Sequence, residues 1–322
     1  MYLAFNTRAT SILYSFLLQN KGKGLWMIPV NICHLIPACF IKAKCPFEFI
    51  DVEKKHLSIN ENEVIHRLTK APLKYSGILT VRNYGEDKVQ NTFFNRIKKT
   101  APHLKIIDDA CLSYPNFSDE ISDLVDLELY STGYSKPVDI GFGGFAKLHT
   151  KDHLRTDFNL DFDEHALSDM NRDYVKSCES SNLVEDSVFK SDWLNFKIID
   201  KDKYIEEVKM SLQKAMSHKN KLNKTYDKFI MSKLKEKRLS SNWRYNIRCD
   251  NPNYVLEKIN EQGLFASQHY FPLNKVFGKG LCPIWEKTYT TILNLFNDYR
   301  FNDEKAKECC KIVNQFAKPI VD

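Results

Sequence analysis

The chain has 322 residues, of which 43% are hydrophobic and 27% charged, with a net charge of +6. This length allows one large domain and a smaller one, and the composition is ordinary for a globular protein with a hydrophobic core. The nine scattered cysteines include no Cys-x-x-Cys pair, which argues against a disulfide framework or a zinc site and favours a reducing compartment. The first residues lack the basic region of a secretory signal. We therefore expect a cytoplasmic protein without a bound metal.

The first half of the chain alternates predicted strands and helices. The predicted strands are residues 25–30, 47–52, 77–81, 104–108, 127–130 and 145–148, and the predicted helices are residues 10–18, 33–40, 61–68 and 87–99. Strands that alternate with helices favour a mostly parallel sheet flanked by helices on both faces. In such sheets, ligands bind at the carboxyl ends of the strands. We therefore expect an α/β domain with its functional site at that edge.

One uncharged stretch, residues 25–41, has the composition of a membrane segment. It is seventeen residues long, whereas a helix needs about 20 apolar residues to cross a bilayer. It also contains the polar residues Asn31 and His34 and the helix-breaking residues Pro29 and Pro37. We therefore interpret it as a buried strand followed by a helix that covers the sheet, and we expect no membrane span.

The second half of the chain has a less regular pattern. Residues 151–200 are polar and acidic and show no clear periodicity, whereas residues 201–240 hold twelve basic and five acidic residues. We predict two amphipathic helices in this basic stretch, with the aromatic residues on the apolar face, which argues against a nucleic-acid partner. The last 80 residues are predicted to form an α+β unit. We therefore predict a large domain, residues 1–200, followed by basic linking helices and a small domain, residues 201–322.

A buried acid and a lone lysine are predicted at neighbouring strand ends. Asp109 follows the apolar run 104–108, and Lys136 lies 27 residues later, before the glycine-rich turn 141–144. Pyridoxal phosphate chemistry uses this pair, because a lysine forms the Schiff base with the aldehyde and an acid keeps the pyridine nitrogen protonated. Each residue alone also has a non-catalytic interpretation, because lysines are usually at the protein surface and an aspartate can cap a helix.

Several short segments resemble, in order along the chain, the sugar-nucleotide aminotransferases of the DegT/DnrJ/StrS type. Residues 107–110 are similar to that family's Ile-Glu-Asp-Ala, residues 131–136 match Ser-x-x-x-x-Lys, and residues 141–144 are similar to Gly-Glu-Gly-Gly. Residues 263–273 resemble the family's Gly-Ile-x-x-x-x-His-Tyr-x-Pro-Leu. The resemblance implies the fold-type I architecture of pyridoxal phosphate enzymes, with a mostly parallel sheet flanked by helices and a smaller C-terminal α+β domain.

The resemblance also implies roles for individual residues of the cofactor site. Lys136 would be the catalytic lysine that bonds to pyridoxal phosphate and then moves a proton between substrate and cofactor. Asp109 would bind the pyridine nitrogen. Ser131 would contact the phosphate, and Thr10 and Ser11 would lie at the start of the first helix, where backbone N–H groups and the helix dipole bind the same phosphate. Thr10 and Ser11 could equally be simple helix caps.

Three further residues are assigned by the same resemblance. Leu112 stands where many family members have Gln or His, and it would pack on the cofactor ring without donating a hydrogen bond. His269 and Tyr270 would reach the substrate from the small domain, although His269 could equally be a half-buried histidine bound to a backbone group. The chain contains no Asn-Tyr-Arg segment, which in relatives gives an asparagine to the phosphate of the neighbouring subunit.

The resemblance implies a homodimeric aminotransferase that depends on pyridoxal phosphate. It would transfer an amino group from an amino acid, with glutamate as the expected donor, to a keto-sugar nucleotide in surface polysaccharide or lipopolysaccharide biosynthesis. Two alternatives stay open: the same fold and cofactor with another reaction, such as a dehydration or a different amine transfer, and a non-catalytic homologue that acts as a partner protein. A nucleic-acid binder would depend on the basic residues 201–240 alone.

Overall fold

A seven-stranded sheet forms the centre of the computed structural model, which describes residues 1–118, 120–158 and 160–320. Its strands are β1 (Tyr2–Asn6), β2 (Leu25–Pro29), β3 (Phe47–Ile50), β4 (Tyr75–Val81), β5 (Lys105–Asp109), β6 (Leu127–Ser131) and β7 (Gly144–Leu148). They lie in the order β1-β7-β6-β5-β4-β2-β3. Strand β7 runs antiparallel to both of its neighbours, and the other pairs are parallel, so the sheet is mostly parallel as predicted.

Helices cover both faces of this sheet. Those of the first half are α1 (Ala9–Gln19), α2 (Leu35–Lys42), α3 (Glu61–Lys70) and α4 (Asn91–Thr100). In β2, Trp26 and Ile28 belong to the hydrophobic core that contains α1 and α2, whereas Met27 belongs to the core that contains α3 and α4. Because successive side chains of a strand point to opposite faces, these two cores lie on opposite sides of the sheet. The predicted alternation of strand and helix is therefore confirmed.

A second, smaller sheet forms in the C-terminal part of the chain. Its strands, β8 (Tyr245–Arg248), β9 (Ala266–Ser267) and β10 (Ile292–Leu295), lie in the order β8-β10-β9. The helices of the second half are α5 (Glu164–Ser180), α6 (Lys201–Phe229), α7 (Pro252–Glu261), α8 (Asn274–Phe277), α9 (Pro283–Tyr289) and α10 (Asp303–Phe316). Residues of α6, α7 and α10 form a separate hydrophobic core with this sheet. The C-terminal part is therefore α+β as predicted, while the domain boundary at residue 200 stays a prediction.

Two helices differ from the prediction. Helix α5 lies within residues 151–200, where the sequence showed no pattern. It buries only Leu167 and Met170, so its apolar stripe is thin. The basic stretch forms one helix of 29 residues, α6, where two were predicted. Neither glycine nor proline interrupts it, and it ends at Ile230, where the backbone becomes extended.

The uncharged stretch 25–41 forms β2 and most of α2. Pro37 is tolerated as the third residue of α2 because backbone N–H groups in the first turn of a helix have no intrahelical partner. Across residues 1–118, 120–158 and 160–320, no helix is long and apolar enough to cross a membrane. The same residues include no cluster of three or more His, Cys, Asp or Glu side chains arranged to hold a metal ion.

Candidate functional site

The carboxyl ends of the parallel strands lie along one edge of the large sheet, and a cavity of about 480 Å³ opens there. We call it the edge cavity. Its volume falls within the range of about 300–1,000 Å³ that small-molecule sites occupy. The polar side chains in its wall belong to Thr7, Arg8, Thr10, Asp109, Ser131, Tyr134, Lys136 and Asn195. The structure thus brings together four of the residues that the sequence analysis assigned to the cofactor: Thr10, Asp109, Ser131 and Lys136.

Asp109 is a buried carboxylate without a counter-ion. It is the last residue of β5, and it is 5% exposed. Its Oδ1 accepts a hydrogen bond from the backbone N–H of Cys111 at 2.9 Å, and no helix begins at this turn. Within the part of the chain that the structure describes, no basic side chain forms an ion pair with it. Because burying an unpaired charge is costly, Asp109 is suited to a protonated ligand group inside the cavity.

Lys136 supplies a primary amine to the same cavity. It lies in the loop between β6 and β7, and its backbone N–H donates to the carbonyl oxygen of Gly133 at 3.2 Å. Its ammonium group makes no hydrogen bond or ion pair with the residues that the structure describes. The side chain is half-buried. The amine is therefore available to a ligand that also contacts Asp109.

Two hydroxyl groups lie where the chain enters α1 and leaves β6. Thr10 is the second residue of α1, and its Oγ1 is buried without a hydrogen-bond partner among the described residues. Ser131 ends β6, and its Oγ accepts one long hydrogen bond, 3.5 Å, from the N–H of Gly133. Arg8, which precedes α1, provides no side-chain cap, and the N–H of Ser11 in the first turn donates to the carbonyl oxygen of Arg8 at 3.1 Å. The positive end of the helix dipole and the two hydroxyls form an environment for an anion.

Gly144 allows the start of α1 to lie against β7. A Cβ atom at this position would lie 2.5 Å from the backbone nitrogen of Ala9, which is too close for any residue other than glycine. The glycine-rich turn thus brings the N-terminus of α1 to the cavity wall. This gives the turn 141–144 a physical role that does not depend on its resemblance to a family motif.

Ser11 and Leu112 are not brought to the cavity wall. The hydroxyl of Ser11 donates to the backbone carbonyl oxygen of Asn195, and the residue is fully buried. Successive residues of a helix point about 100° apart, so Thr10 and Ser11 cannot face the same ligand. Leu112 packs in the hydrophobic core, and Cys111 lines the cavity in its place. Burial and the charge of Asp109 raise the pKa of the Cys111 thiol well above its usual range, which keeps this wall position neutral.

His269 and Tyr270 line a neighbouring cavity of about 580 Å³, which we call the aromatic cavity. Its aromatic side chains belong to His34, Tyr174, His269, Tyr270, Phe271 and Tyr289. Cys33 lies in the walls of both cavities, so the two spaces adjoin. Burial raises the pKa of the Cys33 thiol, but a hydrogen bond from His34 and the charges of His34 and Lys136 outweigh this effect and lower it.

His269 is a neutral imidazole at neutral pH. Burial, together with the positive charges of Arg244 and Lys136, lowers its pKa to about 3. Its ring makes no hydrogen bond with residues that the structure describes, although its backbone carbonyl oxygen accepts one from the hydroxyl of Tyr84 at 3.1 Å. Burial also raises the pKa of Tyr270 well above its usual range, with contributions from Cys33 and Asp109. Both residues can therefore exchange hydrogen bonds with a ligand without carrying a charge.

Several wall residues were missed by the sequence analysis. Arg8 lines the edge cavity, and His34 stacks on Tyr174 in the aromatic cavity with ring centroids 3.9 Å apart. Asn195 lies in the loop before α6, and its backbone carbonyl oxygen accepts a hydrogen bond from Thr7 at 3.4 Å. The segment Asn-Phe-Lys at residues 195–197 differs from Asn-Tyr-Arg by two conservative substitutions. A search that allowed such substitutions would have found it.

Comparisons with known proteins give the fold a wider context. No protein-family model matches this sequence, and no curated protein is detectably similar to it. Solved structures are similar, including a DegT DnrJ EryC1 StrS aminotransferase from Brucella abortus, with 14% identity, a TM-score of 0.69, and coverage of 98% of this chain and 86% of that one. The sugar aminotransferase CalS13 from Micromonospora echinospora has 11% identity and a TM-score of 0.68, with coverage of 98% and 87%.

A third similar structure is that of DesI, which was determined in the presence of its TDP-sugar product. It has 14% identity and a TM-score of 0.70, and the similarity covers 98% of this chain and 80% of that one. At this level of identity the similarity establishes the fold. The chain has the fold of these aminotransferases, which confirms the predicted fold class.

Proposed function

We propose that the protein is an aminotransferase that depends on pyridoxal phosphate and acts on a keto-sugar nucleotide. The observation that carries this proposal is the composition of one cavity. Asp109 without a counter-ion, Lys136 without a partner and the unpartnered hydroxyl of Thr10 all line the edge cavity. They do so at the sheet edge where ligands of α/β proteins bind, in a fold shared with known aminotransferases.

The wall residues fit the three polar parts of the cofactor. The Asp109 carboxylate would hold the pyridine nitrogen in its protonated form, because a buried acid without a counter-ion favours a positive charge beside it. The amine of Lys136 would bond to the aldehyde carbon. Thr10, Ser131 and the N-terminus of α1 would bind the phosphate. When bound, pyridoxal phosphate supplies an electron sink for the reacting carbon of the substrate.

Lys136 would act as the general base of the reaction. Its ε-amine would accept a proton from the α-carbon of the substrate and would deliver a proton to the aldehyde-derived carbon of the cofactor. The absence of an ion pair among the described residues keeps this amine mobile enough to serve both positions. Asp109 would hold the ring nitrogen in place throughout, since the N–H of Cys111 fixes the direction of its carboxylate.

The substrate would extend into the aromatic cavity. His269 and Tyr270 lie in its wall, and both are neutral hydrogen-bonding groups next to the edge cavity. Arg8 offers a cation for a carboxylate of the amino donor, for which we propose glutamate. We further propose that the protein is a cytoplasmic homodimer and serves surface polysaccharide or lipopolysaccharide biosynthesis, as its resemblance to sugar aminotransferases implies.

The test is a visible spectrum of the purified protein with added pyridoxal phosphate, before and after addition of L-glutamate. We expect an absorbance band that glutamate bleaches, and Lys136→Ala should abolish this band. Lys201→Ala, which changes a lysine on the exposed start of α6, is the matched control and should behave as the wild type. Absence of the band in the wild-type protein, or its persistence unchanged in Lys136→Ala, would refute the proposal.

A second candidate function keeps the cofactor and changes the reaction to a dehydration or another amine transfer. The observation that favours it is Leu112, which is buried in the core at a position where related enzymes have Gln or His. The same spectrum separates the two functions. A band that forms with the cofactor, disappears in Lys136→Ala and does not respond to L-glutamate or other amino donors would favour the second.

A further inference from the structure

We propose that Arg244 is a positioning residue, which acts with Asp298 and Arg300 to fix Ser135 and thereby the direction in which Lys136 enters the edge cavity. The role assigned to Lys136 rests on the proposed function. The positioning itself rests on contacts within the chain. We call Arg244, Asp298 and Arg300 the clamp.

Ser135, the residue before Lys136, is held at each of its polar atoms. Its N–H donates to Oδ2 of Asp139 at 2.8 Å, and its carbonyl oxygen accepts the indole N–H of Trp243 at 2.7 Å. Its hydroxyl oxygen accepts hydrogen bonds from Nη2 of Arg244 at 2.6 Å and from Nη2 of Arg300 at 3.1 Å. Three of these four contacts come from residues more than a hundred positions further along the chain.

The backbone of Ser135 needs this support. Its φ angle is +67°, in the left-handed region that favours glycine and that other residues adopt at an energetic cost. A backbone in this conformation is stable only when contacts with surrounding residues hold it in place. The contacts from Trp243, Arg244 and Arg300 are of this kind, because they converge on one residue from outside its own loop.

The clamp is itself fixed by ion pairs around the buried carboxylate of Asp298. Nη1 of Arg244 lies 2.7 Å from Oδ2 of Asp298, and Nε of Arg300 lies 2.9 Å from Oδ1 of the same carboxylate. The side chain of Arg244 is 1% exposed, and its guanidinium carbon lies 3.9 Å from the ring centroid of Phe296. Burial raises the pKa of Asp298, but hydrogen bonding and charge from Arg300 and charge from Arg244 outweigh this and lower it. The two guanidinium groups are therefore held in fixed planes around one carboxylate.

The clamp connects the small sheet to the lysine loop of the large sheet. Arg244 comes immediately before β8, and Asp298 and Arg300 follow β10, so all three belong to the ends of two paired strands. Ser135 lies in the loop between β6 and β7. Because the ammonium group of Lys136 has no partner of its own among the described residues, its position depends on the backbone that precedes it. A displacement of that backbone by about 1 Å would suffice to misplace the amine for reaction.

The test needs variants that alter the clamp without unfolding the protein. Ser135→Ala removes one hydroxyl and keeps the rest of the network. Arg244→Lys keeps a positive charge beside Asp298 but loses the planar fork that binds Asp298 and Ser135 together. Ser122→Ala is the matched control, since its hydroxyl bonds at the surface to Asn91.

The first measurement uses the protein without cofactor, so it does not depend on the proposed function. An amine-reactive acetylating reagent is added, and the labelling rate of Lys136 is measured by peptide mass spectrometry relative to that of Lys201. We expect the rate to change by about threefold or more in Ser135→Ala and in Arg244→Lys, because a released loop alters the exposure of the amine. Ser122→Ala should match the wild type. Equal labelling rates in all four proteins would overturn the proposal.

The second measurement uses protein loaded with pyridoxal phosphate. The absorbance of the bound cofactor is recorded as the pH is varied. We expect the midpoint pH of its change to shift in Ser135→Ala and Arg244→Lys and to stay at the wild-type value in Ser122→Ala. A clamp that only stabilised the fold would lower the melting temperature and leave both the labelling rate and the titration unchanged. If the wild type binds no cofactor, the proposed function fails, and the labelling rates still decide whether the clamp positions Lys136.

Discussion

Strand β5 carries two adjacent aspartates with opposite surroundings. On one face of the sheet, Oδ2 of Asp108 accepts hydrogen bonds from Nε and Nη2 of Arg82 at 3.0 and 2.7 Å. Arg82 also pairs with Glu128 at 2.5 Å, and Lys147 lies 3.4 Å from the same glutamate. On the other face, Asp109 has no counter-ion within the described chain and lines the edge cavity.

The comparison shows that burial alone does not identify the functional acid. Asp108 is 2% exposed and Asp109 is 5% exposed, so the two are almost equally buried. What differs is whether the charge is paired inside the chain. On one face, two acids and two bases pair with one another and stabilise the fold. On the other face, an unpaired acid can bind a ligand. Substitutions on each face of the sheet test this difference.

The largest effect is expected from Arg82→Leu on the face with the paired charges. This substitution leaves Asp108 buried without a cation, and breaking a buried ion pair costs about 3–5 kcal/mol of the free energy of unfolding. Urea denaturation would measure the loss. In the fraction that stays folded, the absorbance of bound cofactor should be retained, because the other face of the sheet is unchanged.

The matched control for Arg82 is Arg155→Leu, which removes an ion pair with Asp157 at the surface, where both side chains are about half exposed or more. Exposed pairs contribute little, so we expect no measurable change in the urea midpoint. Equal destabilisation by the two substitutions would contradict the view that the network around Arg82 carries the stability of this face.

The next effect is expected from Asp109→Asn on the unpaired face. The amide cannot hold a proton on the pyridine nitrogen, so we expect the rate of the glutamate half-reaction to fall by about 10²–10³-fold, the loss typical for a preorganised electrostatic partner. The free energy of unfolding should stay the same or rise, because the substitution removes an unpaired buried charge. Stopped-flow absorbance and urea denaturation measure the two quantities. A stability loss as large as that of Arg82→Leu would remove the distinction between the two faces.

Much of the fold could be predicted from the sequence because it depends on local patterns. The apolar runs that became β2 to β7 are short and bounded by polar or glycine-rich segments, so their alternation with helices could be recognised. Helix α5 could not be predicted, because it buries only Leu167 and Met170 and thus lacks a wide apolar stripe. The single helix α6 was divided in two because its apolar pattern is interrupted between Ala215 and Leu222, where the inward position is occupied by the buried Lys219.

The candidate site was predictable where its residues follow strand ends. Asp109 and Lys136 were found in this way, since the end of a buried strand fixes which edge of the sheet a residue occupies. Contacts between distant parts of the chain leave no local pattern. Arg244 and Arg300 both contact Ser135, although they lie more than a hundred positions from it in the sequence, so no local sequence pattern indicates these contacts.

The pH dependence of stability should reflect His269, which lies beside the unpaired face. Its pKa is about 3 in the folded protein, below the usual value of about 6.5. The unfolded chain therefore binds more protons between these values, so stability is full above pH 6.5 and falls as the pH falls toward 3. We expect His269 to account for a loss of about 1–2 kcal/mol between pH 7 and pH 5.

Urea denaturation of the wild type and His269→Gln at several pH values measures this contribution as the difference between their slopes. His165→Gln, at an exposed position of α5, controls for the substitution itself. The variant with Gln at position 269 should lose stability less steeply on acidification than either of the other two proteins. Three parallel slopes would mean that His269 becomes protonated in the folded state, and the aromatic cavity would then present a cation to its ligand.

Two threonines contrast in the same way as the two aspartates. The hydroxyl of Thr132 donates to the carbonyl oxygen of Phe142 at 2.8 Å and lies 2.7 Å from the hydroxyl of Tyr204, inside the core. Thr132→Val leaves these two groups without their partner, which should cost about 1–3 kcal/mol of the free energy of unfolding. Cofactor affinity should stay unchanged, because the hydroxyl already has its partners within the chain.

Thr10→Val should have the opposite profile. The hydroxyl of Thr10 is buried without a partner among the described residues, so its removal should leave the free energy of unfolding unchanged or raise it slightly. If the phosphate of the cofactor supplies the missing partner, the variant should bind pyridoxal phosphate about 5–15-fold more weakly, which corresponds to the loss of one hydrogen bond of about 1–1.5 kcal/mol. Absorbance titration measures this affinity. Unchanged affinity in Thr10→Val would place the phosphate elsewhere, and the start of α1 would then bind no anion.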